Sequence, residues 1–204
     1  MKDLILLVAD KSMERTLQGG LERPQRLGIR PITFDFRQHP GRDGGTRTSG
    51  AQILALETSR FSHALLVLDH EGSGTEQEPL HLENSLDSQL ANSWGENAKA
   101  IVIAPELDVW MWGSDNKLAE LLHWPLSESI REWLAKQGFA FHRNGKPLRP
   151  KESLEAIFPV CRLPRSSATY QKIAMNISLT RCEDPAFRRL RTQLQLWFPR
   201  SEAP

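Results

Sequence analysis

The sequence predicts an α/β fold in which a parallel sheet of about four strands is followed by an appended C-terminal helical region. Two observations predict this class. Short runs of consecutive apolar residues alternate with segments of helical spacing up to Ala104, and strands that alternate with helices form parallel sheets covered on both faces. After Ala104 the periodic segments have helical spacing, so the second half of the chain is expected to be helical.

The first half contains three apolar runs that predict buried strands, at residues 4–9, 64–68 and 100–104, and a short aromatic-rich segment at residues 31–36 that predicts one more strand. Helices are predicted between these strands, at residues 12–21, 51–60 and 80–94. The stretch His39–Gly50 holds four glycines and one proline. It predicts a long, exposed polar loop, because glycine and proline interrupt regular structure.

The second half predicts six short helices, at residues 106–112, 117–122, 127–137, 151–158, 166–179 and 185–198. Proline or glycine separates most of them. We therefore predict an α/β domain over residues 1–112 and a basic helical extension over residues 113–204 that packs on it.

Charge divides the chain, although the net charge is only +1. Residues 1–142 contain 14 Lys and Arg against 20 Asp and Glu, whereas residues 143–204 contain 12 against 5. Such a polarised chain suits a protein that holds metal ions at one place and a polyanion at another. The alternative is a basic tail that packs on an acidic body or is simply solvated.

Several features favour a cytoplasmic protein with no membrane partner. The longest apolar runs are far too short to cross a bilayer, and the start Met-Lys-Asp does not resemble a secretory signal. The two cysteines, Cys161 and Cys182, have no metal-ligand spacing, which is typical of a reducing compartment.

Carboxylates follow three of the four predicted strands. Asp10 ends the first strand and Glu14 lies one helical turn later, Asp69 and Glu71 follow the third strand, and Glu106 follows the fourth. The carboxyl ends of parallel strands meet at one edge of a sheet, so these side chains are expected to converge. Clustered carboxylates repel one another unless a cation neutralises them, and Mg²⁺ or Mn²⁺ prefers such oxygen ligands.

Each of these acids also has a simpler interpretation. Asp10 and Ser12 are residue types that cap helices, and Glu106 is favourable at a helix N-terminus. The segment Asp69-His70-Glu71-Gly72 is compatible with a solvated turn, and His70 with a packing role.

At these residues the chain resembles the Toprim domain of topoisomerases, primases and OLD-type nucleases. Three segments carry the resemblance, which covers residues 1–112: Val8-Ala9-Asp10-Lys11-Ser12-Met13-Glu14, Leu68-Asp69-His70-Glu71-Gly72 and Ala104-Pro105-Glu106-Leu107-Asp108. They are most similar to small stand-alone bacterial Toprim-like proteins, some encoded beside phage-defence genes.

The resemblance implies a Rossmann-like Toprim-type sheet, with Asp69 and Glu71 as ligands of the divalent metal. Glu106, which follows the fourth strand, is a further candidate ligand. The resemblance also implies that Asp10 or Glu14 manages protons in the reaction. The chain departs from the family at one point, because Toprim domains usually have Glu followed by Gly where this sequence has Asp10-Lys11.

The basic half supplies candidate phosphate contacts, which would bind DNA or RNA without sequence preference. The candidates occupy a loop and two predicted helices: Lys146, Arg149, Lys151, Arg165, Arg188 and Arg189. The first hypothesis is therefore a Mg²⁺-dependent nuclease-like protein that processes phosphodiesters, in a phage-defence system with other subunits.

The alternative is a non-catalytic nucleic-acid-binding or scaffold subunit with a degenerate site, which the Asp10-Lys11 departure favours. A nucleotide-binding switch is a weaker hypothesis, because the sequence has no Gly-x-x-x-x-Gly-Lys-Ser/Thr loop.

Overall fold

The structure is a computed structural model that describes residues 1–176 and 182–200. Its centre is a four-stranded, fully parallel sheet with the strand order β2-β1-β3-β4. The strands are β1 (Lys2–Val8), β2 (Phe34–Gln38), β3 (Phe61–Asp69) and β4 (Ala98–Ile103). The α/β class and the four parallel strands that the sequence predicts are confirmed.

Helices occupy the connections and most of the second half. They are α1 (Lys11–Leu21), α2 (Pro24–Leu27), α3 (Arg42–Ala55), α4 (Pro79–Trp94), α5 (Asp115–Leu122), α6 (Ile130–Lys136), α7 (Pro150–Val160), α8 (Ser167–Asn176) and α9 (Pro185–Trp197). Single 3-10 turns lie at Glu71–Ser73 and Leu107–Trp112. Within the described ranges, no helix has the length and apolar character needed to cross a bilayer. The last three residues of the predicted helix 166–179, residues 177–179, lie outside the described ranges.

The apolar strands are buried on both faces of the sheet, as their uninterrupted runs predict. Alternate residues of β1 point to opposite faces: Leu4, Leu6 and Val8 belong to one core cluster, whereas Ile5 and Leu7 belong to the other. Helices α3 and α4 cover the smaller cluster, and α1, α8 and α9 cover the larger. The sheet is therefore enclosed between two helical layers.

The second half of the chain packs directly on the first. Helix α8 packs against α1, and α9 packs against β4. A buried ion pair joins these parts, since Arg189 of α9 donates to Glu83 of α4 at 2.7 and 2.9 Å, and Glu83 is 1% exposed. One hydrophobic cluster runs from β1 to Phe198.

The predicted loop at residues 39–50 is wrong, because residues 42–55 form helix α3. The glycines there serve packing. A Cβ on Gly45 would lie 2.3 Å from the His39 ring, and one on Gly50 would lie 2.4 Å from Leu66. Close contacts with the sheet and with His39 therefore explain the glycines, and the helix tolerates their low helical propensity. The second strand also begins later than predicted, at Phe34 rather than Pro31.

The strand order places a crevice between β1 and β3. From β1 the chain crosses to β2 on one side, and from β3 it crosses to β4 on the other side. Helix α1, which follows β1, and helix α4, which follows β3, cover opposite faces. The segments that leave β1 and β3 therefore diverge, and open parallel sheets bind ligands at such a point, beyond the carboxyl ends of the strands.

Candidate active site

A cavity of about 440 Å³ opens at this crevice, and we name it the acidic cavity. Within residues 1–176 and 182–200, six carboxylates line it: Asp10, Asp43, Asp69, Glu71, Glu106 and Asp108. Four of the five acids that the sequence singles out therefore meet at one edge of the sheet. Glu14 does not line the cavity, because it accepts hydrogen bonds from Lys11 and Gln38 instead.

Local structure explains how the predicted acids reach the cavity. Asp10 caps α1, and its Oδ1 accepts a hydrogen bond of 2.8 Å from the Met13 amide. Asp69 is the last residue of β3, and Glu71 begins the 3-10 turn that follows. Glu106 stands directly before the next 3-10 turn and is 6% exposed. His70 bonds to the Gln77 carbonyl and does not line the cavity.

Asp69 is held rigidly from two sides. Its Oδ1 accepts a hydrogen bond of 2.8 Å from the Leu107 amide, and its own amide donates to Asp43 Oδ1 at 2.7 Å. Burial raises the pKa of Asp69 well above its usual range, and repulsion from the neighbouring Asp43 raises it further. An ionised Asp69 is therefore costly unless positive charge lies close to it.

Asp43 is a site residue that sequence reasoning missed. It lies in the first turn of α3, where the sequence predicts a loop. Burial raises the pKa of Asp43, although the hydrogen bond from Asp69 opposes this. A Cβ on Gly72 would lie 2.6 Å from Asp43 Oδ2, and Arg47 Nε donates to the Ser73 carbonyl at 2.7 Å. Helix α3 thus fixes the turn that carries Glu71.

Asp108 joins a buried network with the C-terminal helices. The Tyr170 hydroxyl of α8 donates to Asp108 Oδ1, and Arg165 Nε donates to the Tyr170 oxygen at 3.2 Å. Burial raises the pKa of Asp108, and the Tyr170 hydrogen bond counteracts part of this. Burial and the negative charge of Asp108 raise the pKa of Tyr170, so its hydroxyl keeps its proton.

Glu106 and Lys151 form an ion pair at 3.4 Å in the cavity wall. Burial and the nearby Asp108 raise the pKa of Glu106 to about 7, even though Lys151 attracts its charged form. Burial alone would lower the pKa of Lys151, but attraction to Glu106 gives a net rise. Glu106 is therefore a carboxyl group that exchanges its proton near neutral pH.

The basic candidates separate into two groups. Lys151 and Arg165 line the acidic cavity, together with Ser166 and Ser167 at the start of α8. The other four lie elsewhere: Arg189 in the pair with buried Glu83, Arg188 exposed at 3.9 Å from Glu183, Arg149 over the Phe139 ring, and Lys146 in the loop before α7. The structure thus brings two of the six to the site.

The donor set of the cavity fits a hard divalent cation in its chemistry. Among residues 1–176 and 182–200, no three His, Cys, Asp or Glu side chains form a ready-made metal cluster. Mg²⁺ commonly uses only one or two carboxylates and completes its shell with water and substrate phosphate. The Leu107 amide binds Asp69 through Oδ1, so the second carboxylate oxygen, Oδ2, is available to a cation beside the other acids of the cavity.

No protein-family model and no curated protein matches the sequence. Among solved structures, the chain is similar to the C-terminal region of the Burkholderia pseudomallei OLD protein. The similarity covers 96% of this chain and 98% of that chain, with 14% sequence identity and a TM-score of 0.48. These values are too low to transfer a function or a set of site residues from that protein.

Proposed function

We propose that this protein is a Toprim-type, metal-dependent enzyme that processes phosphodiester bonds of nucleic acid, with a nuclease-like activity. The observation that carries the proposal is the acidic cavity at the crevice between β1 and β3. It is lined by Asp10, Asp69, Glu71 and Glu106. The same residues carry the sequence resemblance to Toprim domains. Lys151 and Arg165 add cations beside the acids, as a phosphate substrate requires.

Asp69 and Glu71, with Glu106 beside them, would hold Mg²⁺ or Mn²⁺. Such a cation neutralises charge on phosphate oxygens and lowers the pKa of bound water. Asp69 presents its carboxylate from a fixed backbone, because Leu107 and Asp43 hold it by hydrogen bonds. In the metal-free protein the pKa of Glu106 is about 7, and as a metal ligand Glu106 would release its proton. Lys151 and Arg165 would bind the non-reacting phosphate oxygens.

A second candidate function is nucleic-acid binding without catalysis, as a scaffold subunit. One observation favours it: the Asp10 carboxylate already caps α1 through Met13, and Lys11 follows where Toprim domains usually have glycine. Asp10 is exposed and keeps a second oxygen, so the cap does not remove it from the cavity. We propose a defence role with partner subunits, in the cytoplasm, on the sequence resemblance alone.

A cleavage assay separates the two functions. Purified protein is incubated with single- and double-stranded DNA and RNA in Mg²⁺, Mn²⁺ or EDTA, beside the Asp69→Asn variant and the control Asp87→Asn. Asp87 lies outside the cavity, in an ion pair with Lys99. We expect cleavage of at least one substrate that needs the metal, is lost in Asp69→Asn and persists in Asp87→Asn.

Binding of nucleic acid with no cleavage in either metal would favour the scaffold function. Equal cleavage by the wild type and Asp69→Asn would contradict the proposed site.

A further inference from the structure

We propose that a nucleic-acid strand bound in the acidic cavity continues into a second cavity beside it, where Lys11 and Arg42 hold the neighbouring phosphate. The inference rests on the proposed function and defines its substrate as a strand of several nucleotides rather than a single nucleotide. It also assigns two binding residues outside the basic C-terminal half.

The second cavity has a volume of about 460 Å³, and we name it the β2-side cavity. Its lining comes from the segments that follow β1 and β2: Ala9, Asp10, Lys11, Ser12, Gln38, His39, Pro40 and Arg42. Asp10, Ser12 and Arg42 line both cavities. Each cavity is as large as a small-ligand pocket, and together they form one groove along the carboxyl edge of the sheet.

The balance of charge changes along this groove. Among the lining residues that the structure describes, the acidic cavity has six carboxylates against three cationic side chains, whereas the β2-side cavity has one carboxylate, Asp10, against Lys11 and Arg42. Phosphate in the acidic cavity needs a divalent cation to offset the carboxylates. Phosphate in the β2-side cavity can be bound by Lys and Arg directly. The groove thus offers two different modes of phosphate binding side by side.

Arg42 lies at the boundary between the cavities. Its side chain is exposed, and among the described residues its guanidinium forms no ion pair and no hydrogen bond, although it attracts the charged form of the adjacent Asp43. Its backbone has φ 51°, in the left-handed region that costs free energy for a residue with a side chain. The first turn of α3 therefore presents a guanidinium beside the site in a locally unfavourable conformation.

Lys11 also lines the β2-side cavity, at the first position of α1. Its ammonium is 2.5 Å from Glu14 Oε1, and Gln38 Nε2 donates to Glu14 Oε2 at 2.5 Å. The side chain of Lys11 is still 47% exposed. Glu14 therefore orients Lys11 at the cavity wall. This gives a binding role to Lys11, which stands where Toprim domains usually have glycine, and to Glu14, which does not line the acidic cavity.

The test measures binding of labelled oligothymidylates of about 2, 4 and 8 nucleotides, in Ca²⁺, by fluorescence anisotropy. The variants are Lys11→Gln, Arg42→Gln and the double variant. The matched control is Arg26→Gln, an exposed cation on α2 that lines neither cavity. Thermal melting of every variant verifies that it folds.

We expect wild-type affinity to rise with strand length. Each substitution lowers affinity for the longest strand by about tenfold, as for a lost charged hydrogen bond. Each also reduces the slope of log affinity against log salt by about 0.7. The control retains wild-type affinity and slope.

Two contrary results have different meanings. Equal binding of all lengths by Lys11→Gln, Arg42→Gln and Arg26→Gln, in a protein that cleaves nucleic acid, would overturn only this inference. A wild type that neither binds nor cleaves any nucleic acid would overturn the proposed function and this inference together.

Discussion

At the scale of single residues, the carboxylates of the acidic cavity repel one another, and a bound cation would reduce this repulsion. Asp43, Asp69, Glu106 and Asp108 all have pKa values above their ordinary ones, with burial as the largest cause in each case. In the folded chain these groups therefore retain protons that an unfolded chain releases. A divalent cation would displace those protons, so metal affinity and pH are linked.

The first prediction is that the metal-free protein loses stability as pH rises from about 5 to 8. The pKa of Glu106 is about 7 in the folded chain and 4.5 in the unfolded chain. Between these values the folded state binds more protons, so the free energy of unfolding is highest below pH 4.5 and decreases until pH passes 7. The loss is roughly 3 kcal/mol for this group. Urea denaturation in EDTA across this pH range measures it.

Glu106→Gln supplies the control for that experiment, because it removes the titrating group and keeps the side chain's size. Burial lowers the pKa of His63, so the contribution of His63 to the free energy of unfolding decreases as pH falls below about 6.5. This contribution is the same in the wild type and in Glu106→Gln. The difference between the two curves therefore reports Glu106 together with its effect on the pKa of Asp69. Parallel curves for wild type and Glu106→Gln would show that this carboxyl group is not perturbed.

At the scale of elements, helix α3 holds Asp69 and the turn that follows it in position. Asp43 and Arg47, one turn apart, hold Asp69 and the Ser73 carbonyl. Gly45 between them allows the helix to approach the His39 ring, whereas a Cβ on Gly44 would meet the Ser73 carbonyl at an ordinary contact distance of 3.8 Å. The prediction for this element is that neighbouring glycines respond oppositely to alanine.

Gly44→Ala should stabilise the protein by up to about 1 kcal/mol, because alanine is the better helix former and its nearest contact would be at 3.8 Å. Gly45→Ala should destabilise it by about 1–3 kcal/mol, since its Cβ would lie 2.3 Å from the His39 ring. Urea denaturation of both variants provides the comparison. Similar effects of the two substitutions would mean that α3 does not pack against His39 as described.

The sequence predicted those elements that have a strong apolar pattern and missed those that depend on tertiary contact. Strands β1, β3 and β4 contain uninterrupted apolar runs, and acids at their carboxyl ends follow from parallel topology, so Asp69 and Glu106 could be found. Asp43 could not, because glycines that pack against His39 and Leu66 look like loop residues in the sequence. Tyr170 was also missed, since its contact with Asp108 spans 62 positions.

At the scale of the whole molecule, the basic charge of the second half serves more than one purpose. Lys151 and Arg165 reach the acidic cavity, whereas Arg189 neutralises buried Glu83 and binds the Val102 carbonyl. Some basic residues of the second half therefore pair with acids of the protein itself, and others line the cavity where a ligand would bind. A fourfold substitution of basic residues that includes Arg189 would confound stability with binding.

Arg189→Ala should destabilise the protein by about 3 kcal/mol, because it leaves the Glu83 carboxylate buried without its partner. The adjacent Arg188 is exposed and only 3.9 Å from an exposed Glu183, so Arg188→Ala should change stability by less than about 0.5 kcal/mol. Thermal or urea unfolding of the two variants checks this. Equal stability of the two variants would show that the Arg189–Glu83 ion pair does not stabilise the folded protein.

The central claim is that the acidic cavity binds a divalent cation through Asp69 and Glu71. Calorimetric titration of Mg²⁺ or Mn²⁺ into the wild type, into the double variant Asp69→Asn with Glu71→Gln, and into the control Asp87→Asn tests it most directly. We expect binding with proton release near pH 7 in the wild type and the control, and none in the double variant, which should still melt cooperatively. Unchanged metal binding by the folded double variant, or no binding by the wild type, would contradict the claim.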